Sequence, residues 1–337
     1  MGHRKKHAPK RGSLSYSPRK RAKHLVGRIR HWPKIDAETS RLLGFIGYKA
    51  GMTHLFVVDD RERSPNYGKE VIRSATVLET PPVLVCAIRA YTRTLYGLRT
   101  LTEVWMEKPP EELKQVLTLP EKFDTAEDLQ KIEKTLDKVV TIRAIIMTQP
   151  KQASVPKKKP EVMEIKIGGG TILQKFEYAK KILGKPIPST EMFKEGQYLD
   201  VIAVTVGKGF QGPVKRWGVR ILPRKSRKTK RGIAALGPWK PTHIMPSVPR
   251  AGQMGFHQRT ERNKRILKMG TSGEEVTPKG GFVRYGLING SYMVLDGSIS
   301  GPEKRPIKLR YPARPPKQIS GEMPKVTYMS LESPQGK

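Results

Sequence analysis

Residues 201–272 constrain this chain more than any other stretch, because they begin as a β-strand and then lose the pattern of a globular domain. The first six, Val-Ile-Ala-Val-Thr-Val, predict a buried strand. The remainder has almost no apolar periodicity, and the whole stretch holds seventeen Lys or Arg and one acid, Glu261. So long a segment without regular structure is either functional or disordered. Its net charge near +16 indicates that a polyanion orders it.

A second basic segment lies at the start of the chain. Residues 1–35 contain twelve Lys or Arg and no acid, so that with 201–272 they carry 28 of the +35 formal charges of the 337-residue chain. Two basic segments that pack poorly form an electrostatic footprint, whereas an even coat of charge would only favour solubility. We therefore expect an extended N-terminal arm and a nucleic-acid partner.

Disulfide, metal and membrane chemistry find little support in the sequence. Cys86 is the only cysteine, so neither a disulfide nor a thiolate metal cluster is expected. His3 and His7 are four residues apart, but no third ligand accompanies them. No apolar run reaches the roughly eighteen residues of a membrane span, and the basic N-terminus lacks the apolar region of a secretory signal. We expect a cytoplasmic protein with no metal, no cofactor, no membrane partner and no homo-oligomer.

Short β-branched segments predict a mainly β fold from Leu42 onward. Two strands are expected at 42–48 and 54–58, around Lys49-Ala-Gly-Met52, and further strands follow at 71–78, 83–91 and 99–105. Asn289-Gly290, between strands expected at 282–288 and 292–295, is the best hairpin signal in the chain. We expect these last strands to close a β-barrel that begins at Leu42.

An α/β segment interrupts the strand series. A helix is expected at 126–138 because Thr125-Ala-Glu-Asp128 has capping-box character and apolar residues follow at helical spacing. Strands at 139–147 and 162–167 and a helix ending at Gly184 complete it. The sequence thus predicts a basic arm (1–40), a barrel core (41–100 with 190–207 and 273–337), an α/β insertion (101–189) and a long irregular basic extension (208–272).

Gly207-Lys-Gly-Phe-Gln-Gly212 matches the glycine pattern of dinucleotide-binding loops. Pro213 and the basic run after it are not expected to open an amphipathic helix, and no acid lies about twenty residues on to hold a ribose. A turn whose backbone amides approach phosphate is the better interpretation. No nucleophile lies beside a base and no two carboxylates share a face, so no catalytic residue is assigned.

Basic and aromatic residues alternate as expected where rings stack on unpaired bases and cations meet phosphates. Six of the ten residues 223–232 are Lys or Arg, with no acid among them. We predict nucleic-acid contacts from Arg4, Lys5, Lys6, Arg19, Lys20, Arg21, Lys208, Lys215, Arg216, Trp217, Arg224, Lys225, Arg227, Lys228, Lys230, Arg231, Trp239, His243, Arg250, Gln253, His257, Arg259, Arg262, Lys264 and Arg265.

One long stretch resembles the signature of the ribosomal protein L3 family. It runs Phe193-Lys-Glu-Gly-Gln-Tyr-Leu-Asp200 and continues Val-Ile-Ala-Val-Thr-Val-Gly-Lys-Gly-Phe-Gln-Gly-Pro-Val-Lys-Arg216. Gly47-Tyr-Lys-Ala-Gly-Met-Thr53, Ala251-Gly-Gln-Met-Gly255 and Ser15-Tyr-Ser-Pro-Arg-Lys-Arg21 also match the family. The N-terminal arm and the middle insertion are similar to the archaeal and eukaryotic branch, and the lack of extra basic blocks favours the archaeal type.

The resemblance implies a β-barrel of the type shared with translation factors, bound to large-subunit rRNA beside neighbouring ribosomal proteins. It also implies that the extension reaches toward the peptidyl transferase centre with Trp239 at its tip. The expected function is that of a structural, non-enzymatic ribosomal constituent that helps subunit assembly. An architectural DNA-binding protein, and less readily an RNA-modifying enzyme, are the alternatives that the charge pattern leaves open.

Overall fold

The computed structural model describes residues 11–35, 37–120, 123–316 and 323–333. The strands are β1 (Arg41–Leu42), β2 (Gly44–Val58), β3 (Glu70–Glu79), β4 (Val83–Thr94), β5 (Gly97–Trp105), β6 (Thr141–Met147), β7 (Val162–Gly168), β8 (Pro186–Ile187), β9 (Tyr198–Val204), β10 (Phe210–Gln211), β11 (Gly252–Gln253), β12 (Gln258–Gly270), β13 (Tyr292–Asp296), β14 (Pro306–Arg310) and β15 (Val326–Met329). The α-helices are α1 (Glu111–Lys114), α2 (Thr125–Lys134), α3 (Ile172–Ile182), α4 (Ser189–Met192) and α5 (Pro213–Trp217).

Chain packing divides the protein into two compact units. The basic unit consists of Met1–Leu25 and Val204–Arg259, and the main unit consists of Val26–Ala203 and Thr260–Lys337. The basic unit thus combines a piece of the N-terminal arm with most of the basic extension. The four-part division proposed from the sequence stays a prediction.

Seven strands form one sheet in the order β14-β9-β12-β13-β3-β2-β15. Because β14 also pairs with β2, six of these strands hydrogen-bond in a closed ring, which is the connectivity of a small barrel. Alternate residues of the ring strands point inward, so that Phe45, Leu78 and Leu309 are fully buried. The expected mainly β fold is confirmed.

A second, six-stranded sheet has the order β1-β7-β6-β4-β5, with β8 paired to β4. Its apolar face packs against α2 and α3 through Ile132, Phe176 and Ala179. In α3 the side chain of Thr171 accepts from the backbone of Gln174 and the Gln174 side chain accepts from the backbone of Thr171, a capping box that fixes where this helix begins. The single strand series expected from 71 to 105 is therefore split, because β4 pairs with β6 instead of β3.

The two strands expected at 42–48 and 54–58 are one strand, β2, which pairs with β3 along its length. A β-bulge between Lys49 and Gly51 lies where the sequence predicted a break between two strands. The bulge bends the strand where the ring of Phe282 passes close to the backbone, and a Cβ on Gly51 would meet that ring at 2.4 Å. The close approach of the Phe282 ring therefore needs glycine at this position.

The hairpin expected around Asn289-Gly290 is wrong in its first strand. Residues 282–286 form a turn closed by a bridge between Phe282 and Gly286, residues 287 and 288 belong to no strand, and only the second strand, β13, is present. The buried carboxylate of Glu79 accepts hydrogen bonds from the backbone N–H of Asn289 (3.1 Å), from that of Ser154 (3.0 Å) and from the Tyr285 hydroxyl. A buried carboxylate needs such donors, so the chain at 282–289 wraps around Glu79 instead of pairing as a β-strand.

Three further expectations are corrected by local contacts. Thr125 is the first residue of α2 and not its cap, because its hydroxyl donates to the carbonyl of Trp105 at 2.8 Å. Pro213 does open a helix, but α5 has only five residues and ends at Gly218 in the left-handed conformation. The segment expected to be irregular as far as residue 272 contains β12, whose Arg265–Leu267 portion is buried within the main unit. Among the described residues, no helix is long and apolar enough to cross a membrane.

A buried ion pair joins four segments of the main unit. Asp200 on β9 is fully buried, and its carboxylate accepts from Nη2 of Arg310 at 2.8 Å and from the backbone N–H groups of Asn263 (3.2 Å) and Ala313 (3.1 Å). The same guanidinium donates to the carbonyl of His31. Removing one partner would leave an uncompensated buried charge, which costs more than the pair itself contributes.

We predict that Asp200→Ala lowers the free energy of unfolding by about 3–5 kcal/mol because Arg310 loses its anion. Chemical denaturation followed by tryptophan fluorescence measures this loss. In the double variant with Arg310→Met part of the stability should return, since no unpaired charge remains. Glu133→Ala, which removes the exposed pair with Lys180, is the control and should change stability by less than about 0.5 kcal/mol. Equal losses in the two single variants would contradict the prediction.

Candidate nucleic-acid interface

The basic unit contains no Asp or Glu. It has nine Lys or Arg in residues 1–25 and thirteen in 204–259, so it carries 22 of the 35 net charges in less than a quarter of the chain. Among its described residues the buried apolar side chains are Val204, Trp217 and Val219, and none belongs to the apolar clusters of the protein. Neither ion pairs nor an apolar core can therefore hold this unit together.

The guanidinium of Arg216 helps to hold the basic unit together by donating hydrogen bonds to backbone carbonyls. Its Nε donates to the carbonyl of Gln253 at 2.9 Å, Nη1 donates to that of Arg250 at 3.0 Å and Nη2 donates to that of Arg19 at 3.4 Å. One side chain thereby joins the N-terminal segment, α5 and residues 250–253 of the extension. Burial and the nearby charge of Arg19 lower the pKa of the Arg216 guanidinium, as expected where no carboxylate compensates it.

Trp217 lies beside this contact and is 8% exposed. Its indole N–H donates to the carbonyl of Arg250 at 2.9 Å, and the guanidinium of Arg19 stacks 3.8 Å from the ring centroid. Arg19 also donates to the carbonyl of Arg216 at 2.7 Å. A cation–π contact of this kind stabilises a cation without a carboxylate. Trp217 is thus an internal anchor of the unit and leaves little ring surface for a base.

His257 connects the extension to the arm in a second place. Its Nδ1 donates to the carbonyl of Lys20 at 2.9 Å, and the backbone N–H of Ala22 donates to the carbonyl of Phe256 at 2.8 Å. The backbone N–H of Thr205 donates to the carbonyl of His257 at 2.9 Å. Burial is the main cause that lowers the pKa of His257, and nearby arginines lower it further while the Lys20 carbonyl acts the other way. The ring is therefore held in the neutral Nδ1–H form.

The glycine-rich turn at 207–212 is closed on the unit's own backbone. The N–H of Lys208 donates to the carbonyl of Met254, and the N–H of Met254 donates to that of Gly209, each at 2.9 Å. Gly255, at φ +72°, lies so close that a Cβ would meet the carbonyl oxygen of Val206 at 2.1 Å. The two matched motifs of the sequence are thus contact partners. The Lys208 amide is engaged and does not face outward for a phosphate.

Most of the other described Lys and Arg side chains of the unit are exposed. No hydrogen bond or ion pair within the described chain holds the side chain of Lys208, Lys215, Arg224, Lys225, Arg227, Lys228, Lys230, Arg231, His243 or Arg250. Trp239 is 89% exposed, as expected for a ring at the tip of the extension. A cleft of about 440 Å³ lies beside the basic run, lined by Arg11, 219–223 and 232–234. Free cations beside a cleft can receive a polyanion.

The other residues predicted to contact nucleic acid differ in their exposure and in their partners. Lys20 and Arg21 are exposed in their side chains, and Arg21 lies 5.2 Å from the Phe256 ring. The Gln253 side chain donates to the carbonyls of Met254 and Gly255, and Arg259 lies 4.6 Å from the ring of Tyr16. In the main unit Arg262 is exposed, Lys264 pairs with Glu261 at 3.4 Å and Arg265 is buried and donates to Asp60 at 2.8 Å. Arg4, Lys5 and Lys6 lie outside the described residues.

Sequence reasoning omitted several exposed cations of the same unit. Arg220 and Lys240 lie on the extension, and Arg11 and Lys23 lie on the arm. Their signal was available, because the whole of 204–259 and 1–25 lacks acids, so no cation there can pair with a carboxylate of its own unit. The part of the chain that the structure describes contains no cluster of His, Cys, Asp or Glu that could hold a metal ion.

Fold and charge together define a mainly β protein that carries a separate, acid-free basic unit. Comparison with known proteins agrees with this class. The sequence model described as ribosomal protein L3 matches residues 1–336. The chain therefore belongs to the ribosomal protein L3 family.

Individual relatives cover nearly the whole chain. The protein of Methanocaldococcus jannaschii called large ribosomal subunit protein uL3 is 52% identical, over 98% of this chain and 98% of its own. Proteins with the same name from Methanopyrus kandleri and Archaeoglobus fulgidus are 51% and 50% identical over 99% of this chain, and over 93% and 100% of theirs. These findings confirm the expected family, its archaeal type, a ribosomal location in the cytoplasm and a protein that is not an enzyme.

We predict that acid loosens the contact between the arm and the extension. Because the folded state lowers the pKa of His257, the unfolded ring binds a proton first, and stability is lost as the pH falls through about 6.5. Amide exchange at Ala22 and Thr205, measured by hydrogen exchange and corrected for the intrinsic rate, should accelerate from pH 7.5 to 5.5. His257→Gln should remove this pH dependence. Corrected rates that do not change with pH in the unsubstituted protein would contradict the prediction.

Proposed function

We propose that this protein is a structural constituent of the large ribosomal subunit and binds large-subunit rRNA mainly through the basic unit. The observation that carries the proposal is that the unit has two kinds of cations: some are held by internal contacts, and others have no partner in the described chain. Arg216, Arg19 and Trp217 are engaged in internal contacts, whereas the six cations of 224–231 have no partner in the described chain. The internal contacts give the unit its shape, and the cations without a partner are available to bind an anion.

The composition of the unit explains why RNA is needed for its order. Its free cations repel one another, and it buries few apolar side chains. Phosphates would neutralise the cations and release counterions, which favours binding and makes it depend on salt. Folding of the extension on rRNA would couple the protein to subunit assembly.

The tip of the extension is proposed to support the region of the peptidyl transferase centre. Trp239 follows Gly237 and Pro238 and exposes nearly its whole ring. An exposed indole at the end of a basic segment can stack on a base or a neighbouring ring in folded RNA. The names of the relatives place those proteins in the large subunit, and the same placement is proposed here together with contacts to neighbouring ribosomal proteins.

We predict that neutralising the six cations of 224–231 by substitution to Gln weakens binding to large-subunit rRNA and lowers the salt dependence. For six lost phosphate contacts the slope of log K against log salt should fall by about 4. Filter binding or fluorescence anisotropy at several salt concentrations measures both effects.

The matched control replaces six exposed lysines of the main unit by Gln, namely Lys108, Lys114, Lys134, Lys138, Lys181 and Lys185. It changes the net charge equally and should leave most of the affinity and the slope. Equal losses in both variants would mean that only net charge matters. Equal affinity of the unsubstituted protein for rRNA and duplex DNA would favour the architectural DNA-binding alternative.

We also predict that Trp239→Ala leaves incorporation into subunits intact and impairs tRNA or factor steps on the ribosome. The ring is exposed, so its removal costs no folding energy, but the RNA near the tip loses a stacking partner. Peptidyl-transfer and factor-binding kinetics of purified mutant ribosomes test this. Trp239→Phe keeps an aromatic ring and should be close to normal, whereas unchanged kinetics in the Ala variant would remove the proposed role of the tip.

A further inference from the structure

A two-stranded ribbon projects from the second sheet of the main unit, far in sequence from the basic unit. It consists of residues 92–101, from the end of β4 through the start of β5, and is called the ribbon below. Pairing of β4 with β6 ends at Tyr91 and Thr141, so beyond this point β4 has only β5 as a partner. Every residue from 93 to 101 is exposed. The ribbon therefore has two open faces and buries almost nothing in the protein itself.

The tip of the ribbon consists of two large side chains. Leu95 and Tyr96, which connect the strands, are both 101% exposed, and Leu98 behind them is 48% exposed. A two-stranded ribbon without a covered face is marginally stable alone. Exposure of its large apolar tip side chains to water is unfavourable, and exposed apolar surface of this kind often marks an interaction site. The ribbon therefore has the features of an element that is completed by a partner.

Charge on the ribbon indicates which partner fits. No acid occurs between residues 80 and 102, while Arg93 and Arg99 flank the tip. Arg93 lies opposite Leu98, and Arg99 lies opposite Thr92, so the two arginines project from opposite faces because successive residues of a strand alternate. Neither guanidinium has a partner within the described chain. Arg89, further down the same strand, pairs with Glu103 at 2.7 Å and with Glu164.

We infer that the ribbon is a second RNA-binding element, which enters a cleft of folded rRNA whose two walls both carry phosphates. Arg93 and Arg99 contact phosphates on opposite walls, and the Tyr96 ring stacks on an unpaired base at the bottom of the cleft. The inference rests on the proposed function, since it needs rRNA as the partner, but it concerns residues outside the basic unit.

A protein partner explains the arrangement less well. A neighbouring protein would cover one face or the outer edge of β5, and an arginine on each face would then leave one cation without an anion. A nucleic-acid cleft offers negative charge on both sides and a flat ring surface at its base. Four threonines on the ribbon and directly beside it, Thr92, Thr94, Thr100 and Thr102, add hydroxyl groups that suit phosphate and ribose contacts.

A tethered cleavage probe tests the location directly. Cys86 is fully buried, so a cysteine introduced as Leu95→Cys in the full-length protein can be labelled selectively with iron-EDTA and incorporated into large subunits. Hydroxyl radicals should cut rRNA at one discrete place. The control probe at Leu173→Cys, on exposed α3, should not cut there. Cleavage of a ribosomal protein alone, or no cleavage from position 95, would overturn the inference.

Substitutions test the chemistry. Tyr96→Ala should weaken binding of the full-length protein to large-subunit rRNA about tenfold, and Tyr96→Phe should retain most of the affinity. Arg93→Gln with Arg99→Gln should lower the salt slope by about 1.4. Unchanged melting temperatures would show that the fold is intact, as expected for exposed residues. If these variants bind normally while neutralising 224–231 abolishes binding, the ribbon inference fails and the proposed function stands; if the unsubstituted protein does not bind rRNA, the proposed function fails first.

Discussion

In a unit without carboxylates, backbone carbonyls and aromatic faces are the main acceptors that a guanidinium can find. Arg216 shows the consequence, because it donates to the carbonyls of Gln253, Arg250 and Arg19 and so holds three separate stretches of chain. Hydrogen bonds from a charged donor are stronger than neutral ones. This contact, with the Arg19 stack on Trp217, gives the basic unit a defined shape without an apolar core.

The main unit treats arginine in the opposite way. Arg310 and Arg265 are buried and pair with Asp200 and Asp60, so their charge is compensated inside the fold. The same residue type thus has three roles in one chain: it is paired with carboxylates, held by carbonyls, or left free. Only the third role leaves charge for a partner, so the distribution of the thirty acids determines which cations are available to the proposed RNA partner.

The cations without a partner destabilise the basic unit in the unbound protein, since those of 224–231 repel one another. The apolar clusters of the described residues lie in the main unit, where burial of apolar surface favours folding, while the basic unit is held by a few directional contacts and, in the proposed function, by the phosphates of RNA. His257 belongs to those contacts, since its Nδ1–H donates to the carbonyl of Lys20 in the arm. This division agrees with the proposal that the main unit folds by itself and that rRNA orders the basic unit.

Much of the protein was determined by the sequence itself. Alternating apolar residues predicted most strands, the absence of acids marked the basic segments, and four quoted motifs identified the family that the comparisons confirm. Tertiary contacts decided the rest. The chain has a bulge between Lys49 and Gly51 because β3 continues alongside it, and 282–288 is not a strand because Glu79, distant in sequence, accepts a hydrogen bond from the amide of Asn289. Composition shows that Arg216, Arg265 and Arg231 are cations, but only the fold shows that the first two are engaged and that the third has no partner among the described residues, because partners distant in sequence are brought together by folding.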